Sequence, residues 1–211
     1  MTFLEKNCNN LTYLPLENYD LCAEVTQQGM GVTSCYDKKP YIFTYGCDPC
    51  ICIVGYNHQY NIGFILHIDN KNILCDKNMG NIYYNLSKIY NHYKPKTSIK
   101  FDVLIYGAKT TFNSENRKQL IDYIYSQFSK YNIYWKDKLN INIVQNNIGK
   151  NNNTTSVCLN TQTGKIYKFN PKYFNLNNNK ILLRCNEIKK IINSYKEEAI
   201  MSIDYIGKYF L

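Results

Sequence analysis

Arginine is nearly missing from this chain. Of its 25 basic residues only Arg117 and Arg184 are arginines, and the lysines are dispersed among abundant Asn, Ile and Tyr. Arginine is the usual reader of phosphate and base edges, and no lysine cluster with interleaved aromatics stands out. The net charge of +9 therefore carries no nucleic-acid signature, and no nucleic-acid partner is expected. Long apolar runs are also missing: none approaches the roughly 20 residues that cross a bilayer, so no membrane association is expected. The first ten residues carry Lys6 but no apolar h-region, which does not read as a secretion signal. The expected location is cytoplasmic. Histidine occurs only at His58, His67 and His92, which narrows the choice of partner for any reactive thiol. Cys47-Asp48-Pro49-Cys50 is the single C-x-x-C, and no H-x(3–5)-H accompanies it. Half of a zinc site is thus lacking, and neither a metal nor a cofactor is expected. Redox dithiols usually open a helix, whereas the residues after Cys50 read as a strand; a regulatory Cys47–Cys50 disulfide stays open.

What the chain does have is enough length for a core. At 211 residues it fits one domain, 1–211, without staples. The nine cysteines are scattered over the chain, at 8, 22, 35, 47, 50, 52, 75, 158 and 185. Without small-scaffold spacing, most should be free thiols that behave as small hydrophobes. The 21 tyrosines are expected mostly in core and sheet.

Residues 41–44, 51–56 and 62–68 are β-branched, aromatic or aliphatic, and 57–61 is turn-like, so a strand and then a hairpin are predicted. Residues 79–93 place Ile82, Leu86, Ile89, Tyr90 and Tyr93 near helical spacing, closed by Pro95. A strand over 100–106, a helix over 114–131 and a strand over 139–145 follow. The Asn- and Thr-rich stretch 146–155 reads as a loop. Residues 156–160 and 165–169 flank T-Q-T-G, where Gly164 can take a positive φ, and should pair as a hairpin. After a polar loop at 175–180, residues 186–200 read as an amphipathic helix, so 175–211 is expected to be a C-terminal helical extension. Strands with hairpin links dominate, without strict βαβ alternation. The expected fold is α+β, with a mixed or antiparallel β-sandwich-like core flanked by helices.

A hydroxyl, a thiol and an imidazole cluster in Y-I-F-T-Y-G-C-D-P-C and G-F-I-L-H-I-D: Thr44, Cys50 and His67. Cysteine nucleophiles need an imidazole to take the thiol proton. Cys50 lies at a loop-to-strand junction, where its N–H could stabilise an oxyanion; Pro49 has no N–H, so a second donor must come from elsewhere. His67 lies in the strand expected to pair with that of Cys50, and Asp69 shares its face by the two-residue period. Asp69 could orient His67 or bind a positive group of the substrate. Cys52 shares a face with Cys50 and remains open as the true nucleophile.

The segment T-Y-G-C-D-P-C, with its histidine 17 positions after Cys50, resembles the Thr, Cys, His triad of the chemoreceptor glutamine deamidases, which carry T-x-G-L-G-S-C. V-L-I-Y-G-A resembles their strand ending in F-G-G-A, S-E-N-R-K-Q-L-I-D-Y-I the following helix, and T-Q-T-G-K-I-Y their T-G-x-V hairpin. The likeness covers about 29–169 and implies an α+β fold around a β-sandwich, with a thiol that deamidates protein glutamine. The chain is also similar to the protein N-terminal asparagine amidohydrolases of the same superfamily, at Val32, Thr33 and Ser34, at Leu66, His67 and Asp69, and in V-x-L-N-T-Q-T-G-K-I-Y. It departs from both: C-D-P-C replaces L-G-S-C or T-T-C, Gly107-Ala108 replaces paired glycines, and the M-L-P that follows histidine in the bacterial deamidases is lacking.

The resemblance implies hydrolysis of a side-chain amide in a protein or peptide substrate, releasing ammonia by way of a thioester on Cys50. His67 would act as base and acid, and Thr44 would orient it, with Asp69 as the rival orienter. N-terminal Asn to Asp is the leading expectation, because Asp69 or Asp48 could hold an α-ammonium. The alternatives are deamidation of protein glutamine and a catalytically silent module that binds peptides or proteins.

Overall fold

Alternation along three central strands divides this protein into layers. The computed structural model describes residues 11–69, 74–109, 114–148, 150, 153–174 and 202–207. In chain order its strands are β1 (Cys22–Glu24), β2 (Gly29–Ser34), β3 (Tyr41–Thr44), β4 (Ile51–Asn57), β5 (Ile62–Ile68), β6 (Ile99–Gly107), β7 (Leu139–Asn146), β8 (Val157–Asn160), β9 (Ile166–Lys168) and β10 (Ser202–Ile206); the α-helices are α1 (Asp76–Tyr93) and α2 (Ser114–Tyr134). One sheet has the order β1-β3-β8-β9 and the other β10-β2-β5-β4-β6-β7. Every residue of β4 and β5 is buried, as expected of strands covered on both faces.

Successive side chains of a strand point to opposite faces, so each central strand feeds two cores. Ile51 and Ile53 of β4, Phe64 and Leu66 of β5 and Phe101, Val103 and Ile105 of β6 pack on α1 and α2. Met79, Ile82, Tyr83, Leu86 and Ile89 form the apolar stripe of α1, and Ile124 and Phe128 come from α2. The opposite face of the large sheet, with Cys52, Val54, Ile65, Leu104 and Tyr106, packs on Ile42, Leu159 and Ile166 of the small one. Beyond the small sheet, Tyr41, Phe43 and Cys158 are covered by Leu14, Tyr19 and Phe169. The fold is α+β: a two-sheet sandwich with helices on the outer face of the larger sheet.

The hairpin of β4 and β5 pairs Ile51 with Ile68 and Cys52 with His67, and β8 and β9 form the hairpin around Gly164, whose φ is 64°. The sheets are mixed. β1–β3, β10–β2 and β6–β7 are parallel pairs, and β6–α2–β7 supplies the crossover that parallel neighbours need. α1 ends at Lys94, which takes a left-handed φ of 44° immediately before Pro95, a common way to stop a helix.

Two strands carry no clear signal in the sequence. β1 has three residues, and β2 reads Gly-Met-Gly-Val-Thr-Ser, which resembles a loop by composition. Gly31 is there because the sheets close upon it: a Cβ would lie 2.6 Å from Val25 Cγ2 and 2.8 Å from Ile42 Cδ1. The helix expected at 186–200 and the loop at 175–180 lie outside the described residues. Within the segment expected as a helical extension, Ser202–Ile206 is a strand, β10, paired with β2. Among the described residues no helix is long and apolar enough to cross a membrane.

Candidate active site

The two sheets meet around His67. Its neighbours on β5 alternate, so that Leu66 and Ile68 face the helices while His67 faces the small sheet. There it meets Thr44, the last residue of β3, whose Oγ1 lies 2.7 Å from His67 Nδ1. The same Oγ1 is 2.8 Å from the carbonyl oxygen of Val25, and Val25 is held by its own N–H to Phe43 O at 2.8 Å. A carbonyl can only accept and a hydroxyl has one proton to give. Thr44 therefore donates to Val25 and accepts from Nδ1–H of His67. That network assigns the tautomer and leaves the lone pair of the imidazole on Nε2, the arrangement a general base requires. His67 and Thr44 are both buried.

The loop from Gly46 to Cys50 is held at its main chain. Cys47 N–H donates to Thr155 O at 2.8 Å, and Ala108 N–H is shared between Cys47 O at 3.1 Å and Cys50 O at 2.8 Å. Ala108 follows Gly107, the last residue of β6, whose φ is 101°. Asn153 fixes that glycine at two points: its Oδ1 accepts from Gly107 N–H at 2.9 Å, and its Nδ2 donates to Gly107 O at 2.8 Å. A Cβ on Gly107 would lie 2.5 Å from Cys50 O and 2.8 Å from Cys47 O. Gly107→Ala is thus expected to lower stability by about 2–4 kcal/mol, read as a drop in the denaturant midpoint, and to loosen the cysteine loop with it.

Two thiols, Cys47 and Cys52, flank the imidazole, and a third, Cys50, belongs to the same cluster. Cys52 is opposite His67 in the strand register and is 0% exposed, as is Cys47, whereas Cys50 is 7% exposed. The sulfur of Cys47 lies 3.8 Å from His67 Nδ1 and 3.9 Å from Nε2. Burial pushes the Cys47 thiol well above its ordinary range, and the Cys52 thiol beside it adds to that; His67 acts in the opposite direction. Burial, then Cys47 and Asp69, push the Cys50 thiol up to about 12, and its own main-chain N–H and Asp48 make smaller, opposed contributions. Both C-x-x-C residues are free thiols. Among the described residues no group of three or more His, Cys, Asp or Glu side chains is arranged to hold a metal ion.

Asp69 follows the end of β5, and its Oδ2 accepts from Gln27 Nε2 and Gln28 Nε2, both at 2.8 Å. Gln27 Nε2 also lies 3.9 Å from Cys50 Sγ. The two glutamines occupy the turn between β1 and β2, closed by Gly29 N–H to Thr26 O at 3.0 Å, with Gln28 at φ 60°. Asp48 is half-buried, and its N–H donates to Gly46 O at 2.8 Å.

The fold therefore brings Thr44 into hydrogen bonding with His67, and sets Cys50 near Asp69 through Gln27. The sulfur against the imidazole is that of Cys47, which the sequence marks only as a disulfide partner for Cys50. Gln27, Gln28 and Asn153 were not legible as site residues. A Gln-Gln pair before a glycine and an Asn-rich loop are common in chains of this composition, and only the tertiary hydrogen bonds single these side chains out. Neither a scan against protein-family models nor a search of curated proteins finds a match to this chain.

Proposed function

We propose that this protein is a cysteine amidohydrolase that converts a side-chain amide of a protein or peptide to the acid and releases ammonia, with N-terminal asparagine as its substrate. The observation that supports this reading best is the Val25 O, Thr44 and His67 arrangement, which leaves a basic Nε2 amid the cysteine cluster.

Cys50 is the favoured nucleophile, since of the three thiols in this cluster it alone has exposed surface. Its thiol, with a pKa near 12, is protonated at rest, so attack requires a base. His67 accepts that proton as the sulfur bonds to the amide carbon and the C=O electron pair moves to oxygen. The C–N bond then breaks, ammonia leaves with the proton from His67, and a thioester remains. Water, giving a proton to His67, cleaves the thioester, and the Cys50 thiol is regenerated.

Asp69 and Asp48 both raise the Cys50 pKa, so their negative field opposes a thiolate. An α-ammonium bound beside them would offset that field and favour the thiolate as substrate arrives. A mostly buried Cys50 suits a chain terminus better than a glutamine on a folded surface. The second reading, a silent peptide-binding module, is favoured by one observation, the contact of the imidazole with Cys47 rather than with the more exposed thiol.

Ammonia release and product mass from three peptides test the proposal: one beginning with Asn, one beginning with Gln and one with an internal Gln. Turnover of the Asn-initiated peptide alone is expected. Turnover of internal Gln would move the substrate to protein glutamine, and no turnover of any peptide by reduced protein would favour the binding module.

A further inference from the structure

An amide hydrolase of this kind needs two donors for the oxyanion, and Pro49 removes one main-chain candidate next to Cys50. We propose that the side chain of Gln27 is that second donor, acting beside the main-chain N–H of Cys50. This rests on the reading of Cys50 as an amidohydrolase nucleophile.

Three features support it. A carboxylate can only accept hydrogen bonds, so the 2.8 Å contact with Asp69 Oδ2 identifies the atom that faces it as Nε2 and uses one of its two hydrogens. The same nitrogen lies 3.9 Å from Cys50 Sγ, which directs the second hydrogen to the sulfur side. The main-chain N–H of Cys50 belongs to the residue that carries this sulfur, and is thus the other donor close to the reacting atom. When the sulfur bonds to an amide carbon, the oxygen that gains the electron pair is one carbon removed from Sγ. A donor that is 3.9 Å from the sulfur before reaction can then reach the roughly 2.7–3.1 Å from the oxyanion at which such groups act. Asp69 Oδ2 holds the amide in place before substrate binds, aided by the neighbouring bond from Gln28, so little reorganisation is left for the reaction. On this view Gln27 is a catalytic residue and Asp69 a positioning residue that acts through it.

The test uses Gln27→Met, which keeps the length of the side chain and removes the donor, and Gln27→Glu, which keeps its shape but offers no N–H when ionised. Each is assayed on the Asn-initiated peptide, and Gln27→Met also for inhibition by the matching side-chain aldehyde and for alkylation of Cys50 by iodoacetamide. The aldehyde forms a hemithioacetal whose oxygen needs the same donors, whereas alkylation forms no oxyanion. A loss of about 10²-fold in kcat is expected, with KM within about threefold. The aldehyde inhibition constant should rise in parallel, while alkylation of Gln27→Met stays within about twofold of wild type; Gln27→Glu is read by kcat alone, because a carboxylate beside Asp69 opposes the Cys50 thiolate. If both variants retain kcat within about threefold of wild type, or if alkylation of Gln27→Met falls together with its kcat or the fold is lost in both, Gln27 is structural and the proposal fails. Wild-type protein that turns over none of the three peptides would overturn the amidohydrolase reading, and this inference with it.

Discussion

Cys50→Ala is expected to abolish ammonia release, by about 10⁴-fold or more, while Cys47→Ala costs less than about tenfold. Both sulfurs lie in the same cluster, and the imidazole touches Cys47, so contact alone would choose the wrong residue on this account. Access decides instead. Cys47 is 0% exposed, packed beside Cys52 and His67, and its loss leaves a small apolar void whose cost falls mainly on stability. Cys50 has the exposed surface, the neighbouring Gln27 amide and the nearby carboxylates. The reverse pattern, with activity lost in Cys47→Ala and kept in Cys50→Ala, would assign the nucleophile to Cys47.

The same residue predicts a pH profile for the free protein. A thiol pushed up to about 12 is only about 10⁻⁴ thiolate at pH 8. Alkylation of Cys50 should therefore be slow at neutral pH and rise about tenfold per pH unit through the alkaline range. A plateau near neutrality would instead indicate a resting thiolate paired with a protonated His67. Stability follows the sign of that shift. The folded-state pKa is above the ordinary thiol value of 9.0, so the contribution of this group is present below about pH 9 and is lost as pH rises toward 12. Tyr56, likewise pushed up to about 12 by burial, adds to the loss in the same window.

His67→Ala is expected to lower kcat by about 10³-fold, and Thr44→Val by about 10²-fold. Valine keeps the volume of Thr44 but leaves Nδ1–H of His67 and the carbonyl of Val25 without their buried partner, at about 1–3 kcal/mol in stability. It also frees the tautomer, so that Nε2 is no longer the fixed base. Thr44→Ser should restore most of the activity because it returns the hydroxyl. A Thr44→Val protein with reduced stability and full kcat would mean that the hydrogen bond supports only the fold.

How much of this could be read beforehand depends on which residues do the positioning. The β4–β5 hairpin was legible, because Ile51–Asn57 and Ile62–Ile68 are apolar throughout and a polar turn separates them. With it came the placement of His67 across from the cysteine strand. The helical stripes of α1 and α2 were legible for the same reason, since each buries one face on a flat sheet. The approach of Thr44 to His67 spans two sheets; the resemblance implied it, and local pattern alone could not. β1 and β2 escaped because three residues and a Gly-rich run have little periodicity, and the glutamine turn between them went unseen with them. The loop of Cys47 and Cys50 takes its shape from Ala108 N–H, Thr155 O and the Asn153 clamp on Gly107, all of them distant in sequence. Which cysteine faces His67 is thus a tertiary property that C-x-x-C spacing does not encode.

The measurement that bears most directly on the central claim is acid quenching of wild-type protein during turnover of the Asn-initiated peptide, followed by mass spectrometry of its cysteine peptides. The account predicts a thioester adduct on Cys50, with the mass of the substrate less ammonia. Ammonia release with the adduct on Cys47 or Cys52, or with no cysteine adduct under conditions that preserve thioesters, would contradict it.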